Sequence, residues 1–167
     1  MKTVTRALVV RSVDYKDSDK ILTLLTPDMG KLSAGARGCR KKGSAIAAAC
    51  QLLCWSELVL SDRGGKWSVS EASTLREFLG VRRDLDKLAL ACYFAEMAEV
   101  LSVEGMPSPG LLSLTLNSLH ALECLDRPPE QIKAVFELKA MCLAGYEPLI
   151  EGCALCGEED PEQGWFH

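Results

Sequence analysis

The chain has 167 residues, of which 48% are apolar and 25% charged, and its formal net charge is −4. This balance excludes a disordered chain, and the length allows one good core or two modest units. No apolar run approaches the roughly 20 residues that a membrane-spanning helix needs, and the start of the chain lacks the features of a secretory signal. We therefore expect a cytoplasmic protein that does not bind membranes and whose eight cysteines are reduced thiols.

The first seventy residues have the pattern of a small β domain, with short apolar runs separated by turn residues. Five strands are predicted, at Arg6–Val13, Lys20–Thr26, Lys31–Ala36, Leu52–Leu60 and Lys66–Ser70. The Ala-rich segment from Ser44 to Cys50 predicts a short helix after the third strand, with Ser44 as its N-cap. Five strands with a helix after the third is the element order of an OB-fold, a barrel that often binds oligonucleotides.

After about residue 72 the spacing of apolar residues changes to the helical period of 3.6. Asp84 is predicted to cap a helix that runs to about Ser102. Its apolar face should contain Leu85, Leu88, Ala89, Cys92, Ala95 and Met97. Ser108-Pro109 and Pro128-Pro129 predict two further helices, which end near Leu125 and Gly145. The sequence thus predicts an α+β chain, with an OB-fold over 1–72, a helical domain over 73–150 and a short segment over 151–167.

A basic window lies on the third predicted strand and on the connection that leaves it. Within twelve residues it gathers five cations and no carboxylate, namely Lys31, Arg37, Arg40, Lys41 and Lys42. Such a window attracts polyanions, of which nucleic-acid phosphate is the leading candidate, and Gly35 and Gly38 allow close backbone approach. The alternative is a solvated loop whose charges serve only solubility. Residues 31–50 contain no aromatic side chain, so any base stacking must come from Tyr15, Trp55 or Trp67.

Near the end of the chain, Cys153 and Cys156 have the C-x-x-C spacing with which two thiolates share one metal ion. A structural zinc ion needs four ligands, so this pair supplies half of a site. His167 is a third candidate ligand, but its terminal position holds it poorly. A thioredoxin-like redox pair would need a βαβ context that the sequence lacks. We therefore expect the natural protein to continue beyond residue 167.

Several motifs occur in a fixed order along the chain. They are TPDMGK at 26–31, GARGCRKKGS at 35–44, FELK at 136–139, GYEP at 145–148 and CALCG at 153–157. Together they resemble the bacterial RecO recombination-mediator proteins over nearly the whole chain. The resemblance implies an N-terminal OB-fold, a helical domain and, in many members, a zinc ribbon completed by a second C-x-x-C. Because that second pair is missing here, the resemblance indicates a truncated chain.

The resemblance also implies a function and partners. Its members bind single- and double-stranded DNA, anneal complementary strands near the bacterial nucleoid, and act with RecR and with the acidic tail of single-strand-binding protein. Our leading hypothesis is therefore a non-enzymatic DNA-repair protein that binds DNA through the five cations of the basic window. The alternative is an interaction module whose basic loop and helical groove hold an acidic peptide. A metal-dependent enzyme ranks third, because no P-loop, deaminase or catalytic-triad pattern is matched.

Overall fold

The computed structural model describes residues 2–153 and 156–159. They form a closed five-stranded barrel followed by helices, in agreement with the predicted α+β, OB-like architecture. The strands are β1 (Lys2–Tyr15), β2 (Asp19–Thr26), β3 (Gly30–Ala36), β4 (Trp55–Arg63) and β5 (Lys66–Arg76). The helices are α1 (Leu79–Arg82), α2 (Leu85–Leu101), α3 (Pro109–Cys124) and α4 (Pro129–Leu143).

The barrel closes in the order β1-β2-β3-β5-β4. The long strand β1 pairs with β4 through its first half and with β2 through its second half, and the β1–β2 register shifts between Val9 and Arg11. A short parallel pairing of β3 with β5 completes the barrel. Strand β5 continues past residue 72, where the domain boundary was predicted, because its pairing with β4 extends to Arg76.

The prediction of a helix at Ser44–Cys50 is wrong, since this segment forms successive turns. Ala47 N–H donates to the Ser44 carbonyl, and Gln51 N–H donates to the Ala48 carbonyl, each at 3.2 Å. These are three-residue steps, and the four-residue step from Cys50 N–H to the Ile46 carbonyl does not by itself form an α-helix. So short a segment gains little from helix formation, and the turns instead bury Cys50 against the barrel core.

The predicted helices after residue 84 are confirmed. The Asp84 side chain accepts hydrogen bonds from two backbone N–H groups at the start of α2, and α3 and α4 each begin at a proline. The predicted apolar face of α2 is wrong in part, because Leu85 is 80% exposed and Ala89 is exposed as well. The buried face contains Ala91, Phe94, Ala95 and Ala98, since the helix turns this side toward both the barrel and the other helices.

Two buried clusters share the alternating side chains of β1. Ala7 and Val9 point into the barrel core, whereas Leu8 and Val10 pack against the helices. On the helical side, Phe94 and Phe136 stack with ring centroids 4.2 Å apart. The helices therefore cover the outer face of the barrel around the middle of β1, and the end of β1 toward the β1–β2 turn is exposed to solvent.

Candidate nucleic-acid interface

The basic loop, defined as residues 37–43, is held against the turn between β1 and β2. Gly38 N–H donates to Asp19 Oδ1 at 2.8 Å, and Arg40 N–H donates to the Ser18 carbonyl at 3.0 Å. Gly38 has φ 65°, a conformation that suits glycine, and the neighbouring Cys39 is buried in the barrel core. Burial raises the pKa of the Cys39 thiol, so it stays neutral beneath the cations. The loop is thus fixed in position rather than free in solvent.

Four of the five predicted cations lie together on this loop, and all are exposed: Arg37, Arg40, Lys41 and Lys42. Arg40 Nη2 lies 3.2 Å from Asp14 Oδ2 on β1. Both side chains of this ion pair are solvent-exposed, so it contributes at most about 1 kcal/mol and exchanges readily for a phosphate contact. The structure therefore leaves these four cations available to an anionic ligand.

Lys31 lies at the other end of β3, roughly 20 Å from the loop at about 3.3 Å per residue. Its Nζ donates to the Glu99 carbonyl in the last turn of α2 at 2.7 Å, and its carbonyl accepts from Gly105 N–H at 3.0 Å. A cation at a helix C-terminus is favoured by the helix dipole. The structure thus uses Lys31 to join β3 to the helices and does not bring it together with the other four.

An exposed strip, defined by Val13, Tyr15, Ile21 and Gly35, lies beside the basic loop on the outer face of β1, β2 and β3. Val13 pairs with Ile21, and Ile21 pairs with Gly35, so the three form one row across the strands. Tyr15 follows at the end of β1, is 47% exposed, and has Lys16 Nζ 5.2 Å from its ring centroid. The row carries no side chain at Gly35, which leaves room for a planar group to lie on the sheet.

Of the three aromatic residues that the sequence offered for stacking, Tyr15 alone is exposed on this strip. Trp67 packs against the barrel core, and Trp55 packs against the cluster between barrel and helices. Both are half-buried. Alternation along β1 places Tyr15 on the same side of the strand as Val13.

Charge at this end of the barrel is unevenly balanced. The cations are Lys16, Lys20, Arg37, Arg40, Lys41 and Lys42, and the nearby carboxylates are Asp14, Asp17 and Asp19. One of these carboxylates, Asp19, accepts hydrogen bonds from the loop and from Ser18. The end of the barrel is therefore locally cationic although the chain as a whole is acidic.

A second concave feature lies between α3 and α4. This helical groove has a volume of about 640 Å³, and its lining includes the apolar residues Leu114, Ala121, Ile132 and Val135. The cations Arg127 and Lys139 also line it. It combines an apolar floor with positive charge, which suits a short peptide that carries both apolar and acidic groups.

The first cysteine of the predicted metal half-site, Cys153, takes part in closing a turn. Gly157 N–H donates to the Cys153 carbonyl at 2.8 Å, and Cys153 N–H donates to the Glu158 carbonyl at 2.7 Å. This turn fits a metal knuckle, but Cys153 and Cys156 supply two of the four ligands that structural zinc requires. The third candidate, His167, lies outside the described residues.

Comparison with protein families matches both parts of the chain. Residues 1–78 match the family model "Recombination protein O N terminal", and residues 82–167 match "Recombination protein O C terminal". The chain belongs to the RecO family. The resemblance carried by the ordered motifs, from TPDMGK to CALCG, is therefore confirmed. The two RecO family models meet between β5 and α2.

Curated RecO proteins are similar over most of the chain. The DNA repair protein RecO of Acetivibrio thermocellus is 35% identical over 153 residues, which are 92% of this chain and 61% of that protein. The protein of the same name from Symbiobacterium thermophilum is 34% identical over 156 residues, or 93% of this chain and 62% of that one. The DNA repair protein RecO of Desulfitobacterium hafniense strain DCB-2 is 36% identical over 152 residues, which are 91% of this chain and 55% of that protein. The chain spans about three-fifths of the length of these RecO relatives.

One contact and one group of side chains in this RecO chain could not be found from its sequence. The contact of Lys31 with α2 has no local signal, because it depends on how the helices pack on the barrel. A cluster around Arg76, His120, Glu123 and Cys124 was also missed, since β5 and α3 are far apart in sequence.

Among the described residues, no helix combines the length and apolar content that crossing a membrane requires.

Proposed function

We propose that the chain acts in DNA repair and recombination by binding DNA at the basic loop and the exposed strip. The observation that carries this proposal is the fixed position of four exposed cations next to an exposed tyrosine and an apolar row of strand residues. Membership of the RecO family and the names of the curated relatives support it.

In this proposal the loop and the strip do different things. Arg37, Arg40, Lys41 and Lys42 bind phosphates and release counterions, which contributes affinity without sequence preference. Tyr15 stacks on an unpaired base, and the apolar row beside it accepts the next one. Duplex DNA has no unpaired base to offer, so it uses the loop alone. Neutralising two strands at once reduces their repulsion, which is how the chain would promote annealing without an enzymatic step.

The salt dependence of binding tests this proposal. If four loop cations contact phosphates, the slope of log K against log[salt] is about −2.8, from about −0.7 per contact. The affinity for labelled single-stranded DNA then falls about 50-fold between about 50 and 200 mM salt. In a variant with Arg40, Lys41 and Lys42 changed to Ala, the slope should shrink to about −0.7. Fluorescence anisotropy measures both slopes.

The matched control replaces cations of the helical groove, with Arg127 and Lys139 changed to Ala. This variant changes charge by a similar amount far from the basic loop, so its DNA affinity and salt slope should equal those of the unchanged chain. An unchanged slope in the loop variant, or an equal loss in both variants, would place the DNA site elsewhere.

A second candidate function is supported by the helical groove. We propose that the groove binds an acidic peptide with apolar side chains, such as the C-terminal tail of single-strand-binding protein. The apolar floor accepts the side chains, while Arg127 and Lys139 attract the carboxylates. This function does not exclude DNA binding, because the groove and the basic loop use different residues.

The same two variants separate these functions. A labelled acidic tail peptide should saturate one site on the unchanged chain and on the loop variant, and should bind the groove variant at least several-fold more weakly. DNA affinity should instead grow with oligonucleotide length and respond only to the loop. Peptide binding that follows the loop variant would contradict the groove proposal.

Three further proposals rest on family membership. We propose RecR as a protein partner and a bacterial cytoplasmic location near the nucleoid. We also propose that Cys153 and Cys156 bind zinc together with ligands that lie outside the described residues. Zinc would there hold the turn closed, and the chemistry it supplies is structural.

A further inference from the structure

Three side chains that bind metals in other proteins lie on one face of the last turns of α3. His120, Glu123 and Cys124 are spaced three and four residues apart, which places them side by side on a helix. Their ligand atoms all lie within 4.8 Å of one another. Both His120 and Cys124 are exposed, so a metal ion can reach them from solvent.

The position between these three side chains is taken by the guanidinium of Arg76, at the end of β5. Its Nη2 lies 2.7 Å from Glu123 Oε2, 2.8 Å from His120 Nδ1 and 3.7 Å from Cys124 Sγ. A guanidinium can only donate, so all three atoms accept from it. Three lone pairs converge on one cationic group, as they would on a metal ion.

The carboxylate of Glu123 is held from two sides. Arg76 donates to Oε2 through Nε at 3.3 Å as well as through Nη2. Gly80 N–H bonds to Oε1 at 3.0 Å, which orients the carboxylate and leaves Oε2 for the cation. Such supporting bonds to a ligand are typical of metal sites.

The donor set identifies the class of metal. Nitrogen and sulfur donors with one carboxylate suit zinc or a similar thiophilic divalent ion, whereas magnesium and calcium prefer oxygen alone. Three protein ligands leave the fourth tetrahedral position to water. The displaced guanidinium keeps a favourable neighbour, because its carbon already lies 5.0 Å from the centre of the Phe78 ring.

We propose that His120 Nδ1, Glu123 Oε2 and Cys124 Sγ form a second metal site, specific for zinc-like ions, in which the metal replaces Arg76. The site is separate from the cysteine pair at 153 and 156. Because Arg76 belongs to β5 and the ligands belong to α3, metal binding breaks the ion pair that joins the end of the barrel to the helices. Glu123 keeps its bond to Gly80, so the helix end stays in place.

Cobalt titration tests the site, since cobalt bound to a thiolate gives a charge-transfer band that zinc then removes. The measurement uses the full chain with Cys153→Ser and Cys156→Ser, so that the other pair does not contribute. We expect one equivalent of cobalt with the band. Adding Cys124→Ser should abolish the band, and adding His120→Ala should weaken binding at least about tenfold.

Competition between cobalt and the Arg76 guanidinium distinguishes a specific site from non-specific binding at the surface. Arg76→Ala should tighten cobalt binding several-fold, because the metal no longer displaces a guanidinium. Cys142→Ser, at a half-buried thiol of α4, is the matched control and should change nothing. Circular dichroism checks that each variant is folded. The proposal is overturned if the band is missing, if it survives Cys124→Ser, or if Arg76→Ala leaves the affinity unchanged.

Discussion

The cations of the basic loop and those at the contact between barrel and helices differ in what they bind. Around the loop, Arg37, Lys41 and Lys42 point into solvent, and the single ion pair described there, of Arg40 with Asp14, is exposed. At the contact, Lys31 donates to the end of α2, and Arg82 donates to the carbonyls of Glu77 and Leu52. The same residue types therefore serve a ligand in one region and the fold in the other.

This difference shows why local charge density is an incomplete guide to a binding site. Lys31 belongs to the basic window as much as Arg37 does, yet β3 carries the two to opposite ends of the barrel. At the Lys31 end the strand is covered by the connection between α2 and α3, and a Cβ at Gly30 would lie 2.1 Å from the Met106 carbonyl oxygen. At the Arg37 end the strand is open. Coverage by the helices decides which cations remain available.

The largest effect, on the free energy of unfolding, is expected from removing a buried side chain at the contact between barrel and helices. Phe94→Ala removes a fully buried ring that stacks on Phe136, and such changes cost about 3–5 kcal/mol of unfolding free energy. Urea unfolding followed by circular dichroism measures the loss. The salt slope of DNA binding should not change while the variant is folded, because the basic loop packs against the barrel.

The control for Phe94→Ala is Leu85→Ala, on the same helix. Leu85 is apolar but exposed, so its removal should change the unfolding free energy by less than about 0.5 kcal/mol. A comparable loss in the two variants, or a changed salt slope in Phe94→Ala, would show that the two regions are not independent.

The next effect concerns the strip beside the loop. Tyr15→Ala should weaken binding of single-stranded DNA by about 1–3 kcal/mol, the contribution of one stacked base, and leave duplex binding unchanged. Tyr15→Phe keeps the ring and should bind like the unchanged chain. Anisotropy with matched single-stranded and duplex oligonucleotides measures both affinities. Equal losses for the two kinds of DNA would argue against stacking at Tyr15.

The sequence predicted the positions of the strands and helices better than it predicted which of their side chains are buried. Turn residues and alternation located all five strands, and Asp84 and the two Pro-initiated helices were identified because caps are local signals. The Ser44–Cys50 segment was wrongly predicted to be a helix. Its apolar residues Ile46 and Cys50 pack against the barrel core and do not form the face of a helix. The exposure of Leu85 was not predicted because four elements, namely β1, α1, α3 and α4, pack against α2 and together decide which side of it is buried.

The candidate site divides in the same way. The exposed cations of the loop follow from composition and glycine spacing, and they remain predicted DNA contacts. Other contacts depend on tertiary packing of segments that are distant in sequence. They are the hydrogen bond from Lys31 to α2 and the hydrogen bonds that join Arg76 to His120 and Cys124. No periodicity or motif within either segment carries that information.

A smaller effect tests the different uses of two lysines. Lys31→Met should lower the unfolding free energy by about 1–2 kcal/mol, because it removes a charged hydrogen bond to the end of α2, and should leave the salt slope of DNA binding unchanged. Lys41→Met should do the reverse, with a salt slope shallower by about 0.7 and unchanged stability. Urea unfolding and anisotropy on both variants make the comparison. If Lys31→Met changes the slope as much as Lys41→Met does, both ends of β3 contact DNA.

The smallest effect is the pH dependence of the ion pair between Arg76 and Glu123. The pKa of Glu123 is lowered in the folded chain, so the pair stabilises the fold above the ordinary carboxyl pKa, and this stabilisation is lost as pH falls through the folded value. Because Arg76 is partly exposed, the pair contributes at most about 1 kcal/mol. Urea unfolding at pH 7 and at pH 3 should therefore show a slightly smaller acid loss in Glu123→Gln than in the unchanged chain. The control, Glu71→Gln at an exposed position on β5, should lose as much as the unchanged chain does, and an equal loss in all three would mean that the pair of Arg76 and Glu123 does not stabilise the fold.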